Sequence, residues 1–143
     1  MTGMRKATVK LAVVCGTAAV AAAGLMAPVA SADPAGQDVT YTLSVGGPAT
    51  FDLLYLVNQP ANKAAYNADA YSFVQRVPVA LAPGVPWTFS ANLADPQWAI
   101  LTVSSTTHGG QAAPNVSCDI AVDGHSVAHD QQPYNPRCQL SNW

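Results

Sequence analysis

The sequence predicts an all-β domain, a two-layer antiparallel sandwich of seven or eight short strands held by one disulfide, behind an export signal. Three observations predict it. Apolar and polar side chains alternate with period two in a series of short runs, each stopped by Gly, Pro, Asn or Asp, which is the pattern of half-buried strands. The chain has no Glu and, past residue 32, a single Lys, while Val, Thr, Tyr, Pro and Gly are frequent there; the usual helix formers are missing and strands and turns are favoured. Two cysteines, Cys118 and Cys138, remain beyond the signal, an even number in an exported chain, and this reads as a disulfide, with two separate buried thiols as the alternative.

The first 32 residues read as an address. Arg5, Lys6 and Lys10 precede an uncharged apolar run over residues 11–26, and Ala30-Ser31-Ala32 offers small side chains to a signal peptidase, so cleavage is expected after Ala32. A retained membrane anchor is the competing reading, since the run approaches the roughly 20 residues that span hydrocarbon. Its Ala- and Gly-rich composition is weakly hydrophobic, which favours cleavage. Removing 32 of 143 residues leaves 111, enough for one domain with its own core. Residues 33–38 are expected to form a flexible lead-in and residues 39–143 the domain. The mature part carries Lys63, Arg76 and Arg137 against eight scattered Asp, a net charge of −5. That balance argues against a nucleic-acid partner.

The strands follow in order. Residues 39–45 alternate apolar and hydroxyl side chains, with Val39, Tyr41, Leu43 and Val45 expected inward, and Gly46-Gly47-Pro48 ends the run. Residues 51–57 are more continuously apolar and suit the middle of a sheet. Residues 60–70 hold small and polar side chains and read as a loop with one helical turn. Residues 71–81 resume a strand with Phe73, Gln75, Val77 and Val79 on one face, and Pro78 marks an edge or a bulge. After the Pro83-Gly84 turn come strands at 85–91 and 98–105, then a polar loop at 108–115. Residues 116–123 put Val116, Cys118, Ile120 and Val122 on one side. Asp123-Gly124 between two alternating runs is the sequence signal of a type I′ hairpin, both of whose central residues need positive φ. The return strand is 125–130, and a short run at 137–140 brings Cys138 back toward the strand of Cys118.

No catalytic constellation emerges. His108, His125 and His129 accompany the Asp and many Ser and Thr, but there is no G-x-S-x-G, H-E-x-x-H or paired-Glu pattern. A bridged cysteine cannot serve as a nucleophile. His125 and His129 lie roughly 13 Å apart along a strand, too far to share one ion. No metal or other cofactor is expected. A residual hydrolase reading, built on a His-Asp pair, requires an imidazole within reach of both an acid and an exposed hydroxyl. Trp87 and Trp98 fall within strand patterns and are assigned to the core. Tyr55, Tyr66 and Tyr71 cluster around the 58–70 loop and read as packed beneath it, with an apolar groove that would make them a ligand or partner surface as the alternative.

At Pro86-Trp87, and at Cys118-Asp119-Ile120-Ala121-Val122-Asp123-Gly124 followed by Cys138, the chain resembles the extracytoplasmic domain of the MmpS family over about residues 39–140. Members of that family are accessory proteins of RND-type lipid and siderophore exporters. The resemblance implies an immunoglobulin-like β-sandwich without a catalytic site that assists export of amphipathic cargo. It also implies structural roles for Pro86, Trp87, Ile120, Val122, Asp123 and Gly124, and a bridge between Cys118 and Cys138. Two features depart from the family: a cleavable signal replaces the usual transmembrane helix, and the interval from Tyr55 to Trp87 is longer. The expectation is a non-catalytic secreted or envelope accessory module with no membrane span after cleavage, whose partner is an RND-type exporter or lipid cargo. A secreted structural or host-facing protein-interaction domain is the alternative.

Overall fold

The computed structural model describes residues 35–106 and 109–143. The expected signal and its cleavage point, like His108, lie outside the described residues. Eight strands run in chain order: β1 (Gln37–Val45), β2 (Ala49–Leu56), β3 (Val74–Leu81), β4 (Trp87–Leu93), β5 (Ile100–Ser105), β6 (Val116–Val122), β7 (His125–Gln132) and β8 (Arg137–Gln139). They form two four-stranded sheets, ordered β4-β1-β6-β7 and β3-β2-β5-β8. Every pairing is antiparallel. The predicted two-layer sandwich is therefore present.

The alternation read from the sequence is what fills the space between the layers. Val39, Tyr41 and Leu43 of β1, with Cys118 and Ile120 of β6, face Phe51, Leu53 and Tyr55 of β2 and Leu101 and Val103 of β5, and all are buried. Each exchange of apolar surface for water here is worth about 25 cal/mol per Å². The disulfide joins Cys118 of β6 to Cys138 of β8 with a Cα–Cα distance of 6.0 Å. It corrects one expectation. β8 pairs with β5 rather than with β6, so the bridge runs between the two sheets instead of along one.

Other boundaries shift for local reasons. β1 begins at Gln37, so two residues assigned to a flexible lead-in are paired: Asp38 donates its backbone N–H to Asp123 Oδ1 at 2.9 Å, and Asn92 Nδ2 reaches Gly36 O at 3.1 Å and Asp38 Oδ1 at 2.9 Å. A side chain at Gly36 would strike the side chain of Asn92. The 57–73 connection contains a helix, α1 (Lys63–Ala68), started by Asn62, whose side chain accepts from the Ala65 N–H. Such a cap satisfies a donor that the first helical turn leaves free. Tyr71 sits in a 3₁₀ turn, Ala70–Ser72, so the next strand starts later than residue 71. Trp98 likewise closes a 3₁₀ turn, Pro96–Trp98, capped by Asp95. Alternation alone does not reveal these caps.

Pro78 lies in β3, an outer strand, as its missing N–H requires. Asp123 and Gly124 have φ of 48° and 81°, the two positive values a type I′ turn demands. One register shift falls between Ile120 and Ala121, where the bulge leaves Val127 half exposed on β7.

Candidate functional site

The three tyrosines singled out as one surface are separated by the fold. Tyr55 points between the sheets and is 4% exposed, Tyr66 is half-buried on α1, and Tyr71 is 84% exposed. Pleat parity is the reason: Tyr55 shares the inward side with Phe51 and Leu53, whereas α1 belongs to the connection outside the sheet. Two aromatic groups result instead.

The first lies at the edge where β3 of one sheet faces β4 of the other. Tyr55 stands 4.7 Å from Phe89 and 5.0 Å from Trp87, and 6.0 Å from Tyr41, between ring centroids. These separations are those of favourable tilted ring pairs. Trp87, assigned to the core, is only half-buried, as are Phe89 and Ala91 beside it on β4 and Val77 and Val79 across on β3. Both strands are the outermost of their sheets, so their inward side chains have a neighbour on one flank only. Pro86 ends the turn that leads into β4. Tyr55 Oη donates to Gln75 Oε1 at 3.1 Å, and burial raises its pKa above the ordinary phenol value. Tyr41, deeper in, has a fully buried hydroxyl with no hydrogen-bond partner. Burial pushes its pKa well above the usual range, an effect that the nearby backbone of Ile100 offsets only in part.

The second group lies on the other side of the β2 sheet. Leu56 pairs with Val74, and both have the pleat parity opposite to Tyr55; they are buried, with Ile100, because the 57–73 connection and residues 96–98 and 140–143 cover that side. Tyr66 and Trp98 each meet Trp143 edge-on, at 4.7 Å and 5.7 Å. Trp143 Nε1 donates to Trp98 O at 2.7 Å. Its part in the packing has no signature in the sequence, since a tryptophan outside any alternating run carries no periodic signal.

The polar candidates assemble differently from a nucleophile relay. On the outer side of β6 and β7, Ser126 Oγ donates to Asp119 Oδ2, and His129 Nδ1 lies 3.8 Å from the same oxygen. The carboxylate stands between the hydroxyl and the ring, so the imidazole is not placed to take the serine proton. His125 is exposed at the start of β7. Among the described residues no group of three His, Cys, Asp or Glu converges on a point that could hold a metal ion. No helix among them is long and apolar enough to cross a membrane.

Asp123 and Asp130, like the turn-capping Asp95, are held by backbone donors. Asp123 accepts from the Asp38 N–H and from Gln37 Nε2, which lowers its pKa. Asp130 accepts from the Arg137 N–H at 2.9 Å, tying β7 to the start of β8 and lowering its pKa in the same way.

Residues 41–138, nearly the whole sandwich, match the family described as the Rv2576c beta-sandwich domain. The chain belongs to the Rv2576c β-sandwich family. It is 35% identical to "Uncharacterized protein Rv2576c" of Mycobacterium tuberculosis H37Rv, an alignment that covers all of this chain and 91% of the relative. The same identity and coverage hold for "Uncharacterized protein Mb2606c" of Mycobacterium bovis. The matched span begins at Tyr41 and ends at Cys138, the first fully buried aromatic and the second half-cystine.

Proposed function

We propose that this Rv2576c-family domain is an exported, non-catalytic binding module that takes up the apolar part of an amphipathic molecule along the β3/β4 edge. In this reading it serves an RND-type exporter in the way that MmpS domains serve theirs. One observation carries the proposal: the inward side chains Val77, Val79, Trp87 and Phe89 are left half-buried at an edge where the two sheets face each other unpaired. An apolar chain lying along that edge would complete the burial that a second strand supplies elsewhere. The export address, the disulfide and the scattered acidic surface suit an envelope location.

The test is a titration of the 33–143 protein with a fluorescent fatty acid, followed by energy transfer from tryptophan. Saturable binding is expected, weakened about ten-fold or more by Phe89→Ser, a loss of about 1.4 kcal/mol or more. Absence of saturable binding, or binding indifferent to Phe89→Ser, sinks the edge as a ligand site. The alternative, a module that makes protein contacts only, draws on the flat hydroxyl face formed by Thr40, Thr42, Thr88, Ser90 and Ser117 on the outside of the β1 sheet. Affinity capture from envelope extracts separates the two. Recovery of an exporter subunit with lipid favours the first reading, and recovery of a protein partner without either favours the second.

A further inference from the structure

Tyr66, Trp98 and Trp143 do more than pack. Lys63 Nζ stands 4.5 Å from the ring centroid of Trp143 and 5.8 Å from those of Tyr66 and Trp98. It also donates to Asn142 O at 3.2 Å. Asn142 in turn donates through Nδ2 to Asp95 Oδ2 at 3.1 Å, and Asp95 caps the turn that carries Trp98. One ammonium is thus surrounded by three aromatic rings and a carbonyl, with a carboxylate one hydrogen bond behind. Rings gathered around a cation in this way are the chemistry that recognises organic ammonium groups.

We propose that Tyr66, Trp98 and Trp143 form a cation cage for the ammonium or trimethylammonium head of a small molecule, and that Lys63 is its built-in occupant. Three features separate a displaceable occupant from a fixed clasp. The Lys63 residue is exposed, so its side chain reaches the rings from solvent. Its hydrogen bond is to a carbonyl at 3.2 Å, and no residue of α1, which it opens, is fully buried, so the lysine side chain can withdraw without pulling a core residue. Trp98 and Trp143 hold each other through the Trp143 Nε1 to Trp98 O bond and their edge-on contact, so these walls stand without the lysine. The surrounding charge favours a cation: the described residues carry seven aspartates against Lys63, Arg76 and Arg137, and Arg76 lies 3.8 Å from Asp52. This site is on the opposite side of the β2 sheet from the β3/β4 edge and stands or falls apart from the reading above.

The experiment follows the indole N–H signals in NMR spectra of the 33–143 protein titrated with choline and, separately, with its neutral isostere 3,3-dimethylbutan-1-ol. In Lys63→Gln the cage is vacated. Choline is expected to shift the Trp143 signal saturably, with an affinity about ten-fold above that of the wild type, whose own lysine competes. The neutral isostere is expected to bind about ten-fold more weakly than choline. Adding Tyr66→Leu removes the Trp143 response; should that double variant fail to fold, adding Trp143→Leu removes the shift read at the Trp98 indole. Equal shifts from the neutral isostere, or a folded Lys63→Gln protein whose Trp143 signal ignores choline, overturn the cage. A wild type that never responds while Lys63→Gln does makes Lys63 a permanent clasp and overturns its role as a displaceable occupant.

Discussion

The two flanks of the sandwich are closed by different means. Where β7 of one sheet meets β8 of the other, the closure is covalent and polar: Cys118 is bonded to Cys138, Asp130 receives the Arg137 N–H, Asn135 Oδ1 receives the Ser105 N–H, and Pro133 and Pro136 carbonyls accept from Asn115 and Val103. Where β3 meets β4, the main chains are linked through the turn around Pro83-Gly84, pinned by the Ala82–Val85 bridge. The space between is filled by Tyr55, Trp87 and Phe89, with one hydroxyl-to-amide bond to Gln75. A bridge fixes a distance whatever the solvent does. Ring packing fixes no bond, so the same fold carries one flank locked covalently and one held by half-buried side chains.

The contrast is tested most severely on the locked side. Replacing both Cys118 and Cys138 by Ala is expected to cost about 2–4 kcal/mol, read from urea denaturation, and to raise hydrogen exchange first in β8. An equal rise in β3 and β4 would mean the flanks do not differ. On the open side Phe89→Ala should cost less, about 1–3 kcal/mol, because the ring is half-buried and a core phenylalanine typically costs 3–5; a larger loss would show that the edge is core in disguise. Tyr55→Phe removes the bond to Gln75 and should cost about 0.5–1.5 kcal/mol. Tyr41→Phe has the opposite sign. Its hydroxyl is buried without a partner, so deletion is expected to be neutral or stabilising by about 1 kcal/mol.

The smallest effect is that of pH. Asp123 and Asp130 have depressed pKa values in the folded state, so their contribution is complete above the ordinary carboxyl value of about 4 and fades as pH falls through the lowered one. The melting temperature should therefore drop at the acid end. Asp130→Asn is expected to flatten that limb and Asp123→Asn to do the same. Unchanged acid limbs would mean that neither carboxylate contributes to the stability of the folded state.

Most of the layer structure was legible because one rule governs it. Strand pleats alternate sides, and Val39, Tyr41, Leu43, Phe51, Leu53, Val116, Cys118 and Ile120 all obey. The hairpin at Asp123-Gly124 was legible because few residue pairs accept two positive φ values. What alternation could not show is which strands lie together across the layers, and so the bridge was expected to return to one strand when it spans two sheets. The tyrosine surface failed for the same reason. Tyr55, Tyr66 and Tyr71 are close in sequence, but pleat parity sends the first inward, and the capped helix begun by Asn62 carries the second to the far side of the sheet. The Lys63 cage joins residues 80 positions apart, and no local pattern announces it.

The hairpin has one more consequence, for chemical ageing. Among aspartates, one followed by glycine is the most prone to succinimide formation, in which the glycine nitrogen attacks the side-chain carboxyl carbon, water leaves, and hydrolysis of the ring yields isoaspartate. Asp123 is such a residue, yet both of its oxygens are engaged, by the Asp38 N–H and by Gln37 Nε2. The folded protein thus holds both oxygens of its Asp-Gly link, and mass spectrometry of stored samples should find isoaspartate accumulating at position 123 in Gln37→Ala well before it does in the wild type.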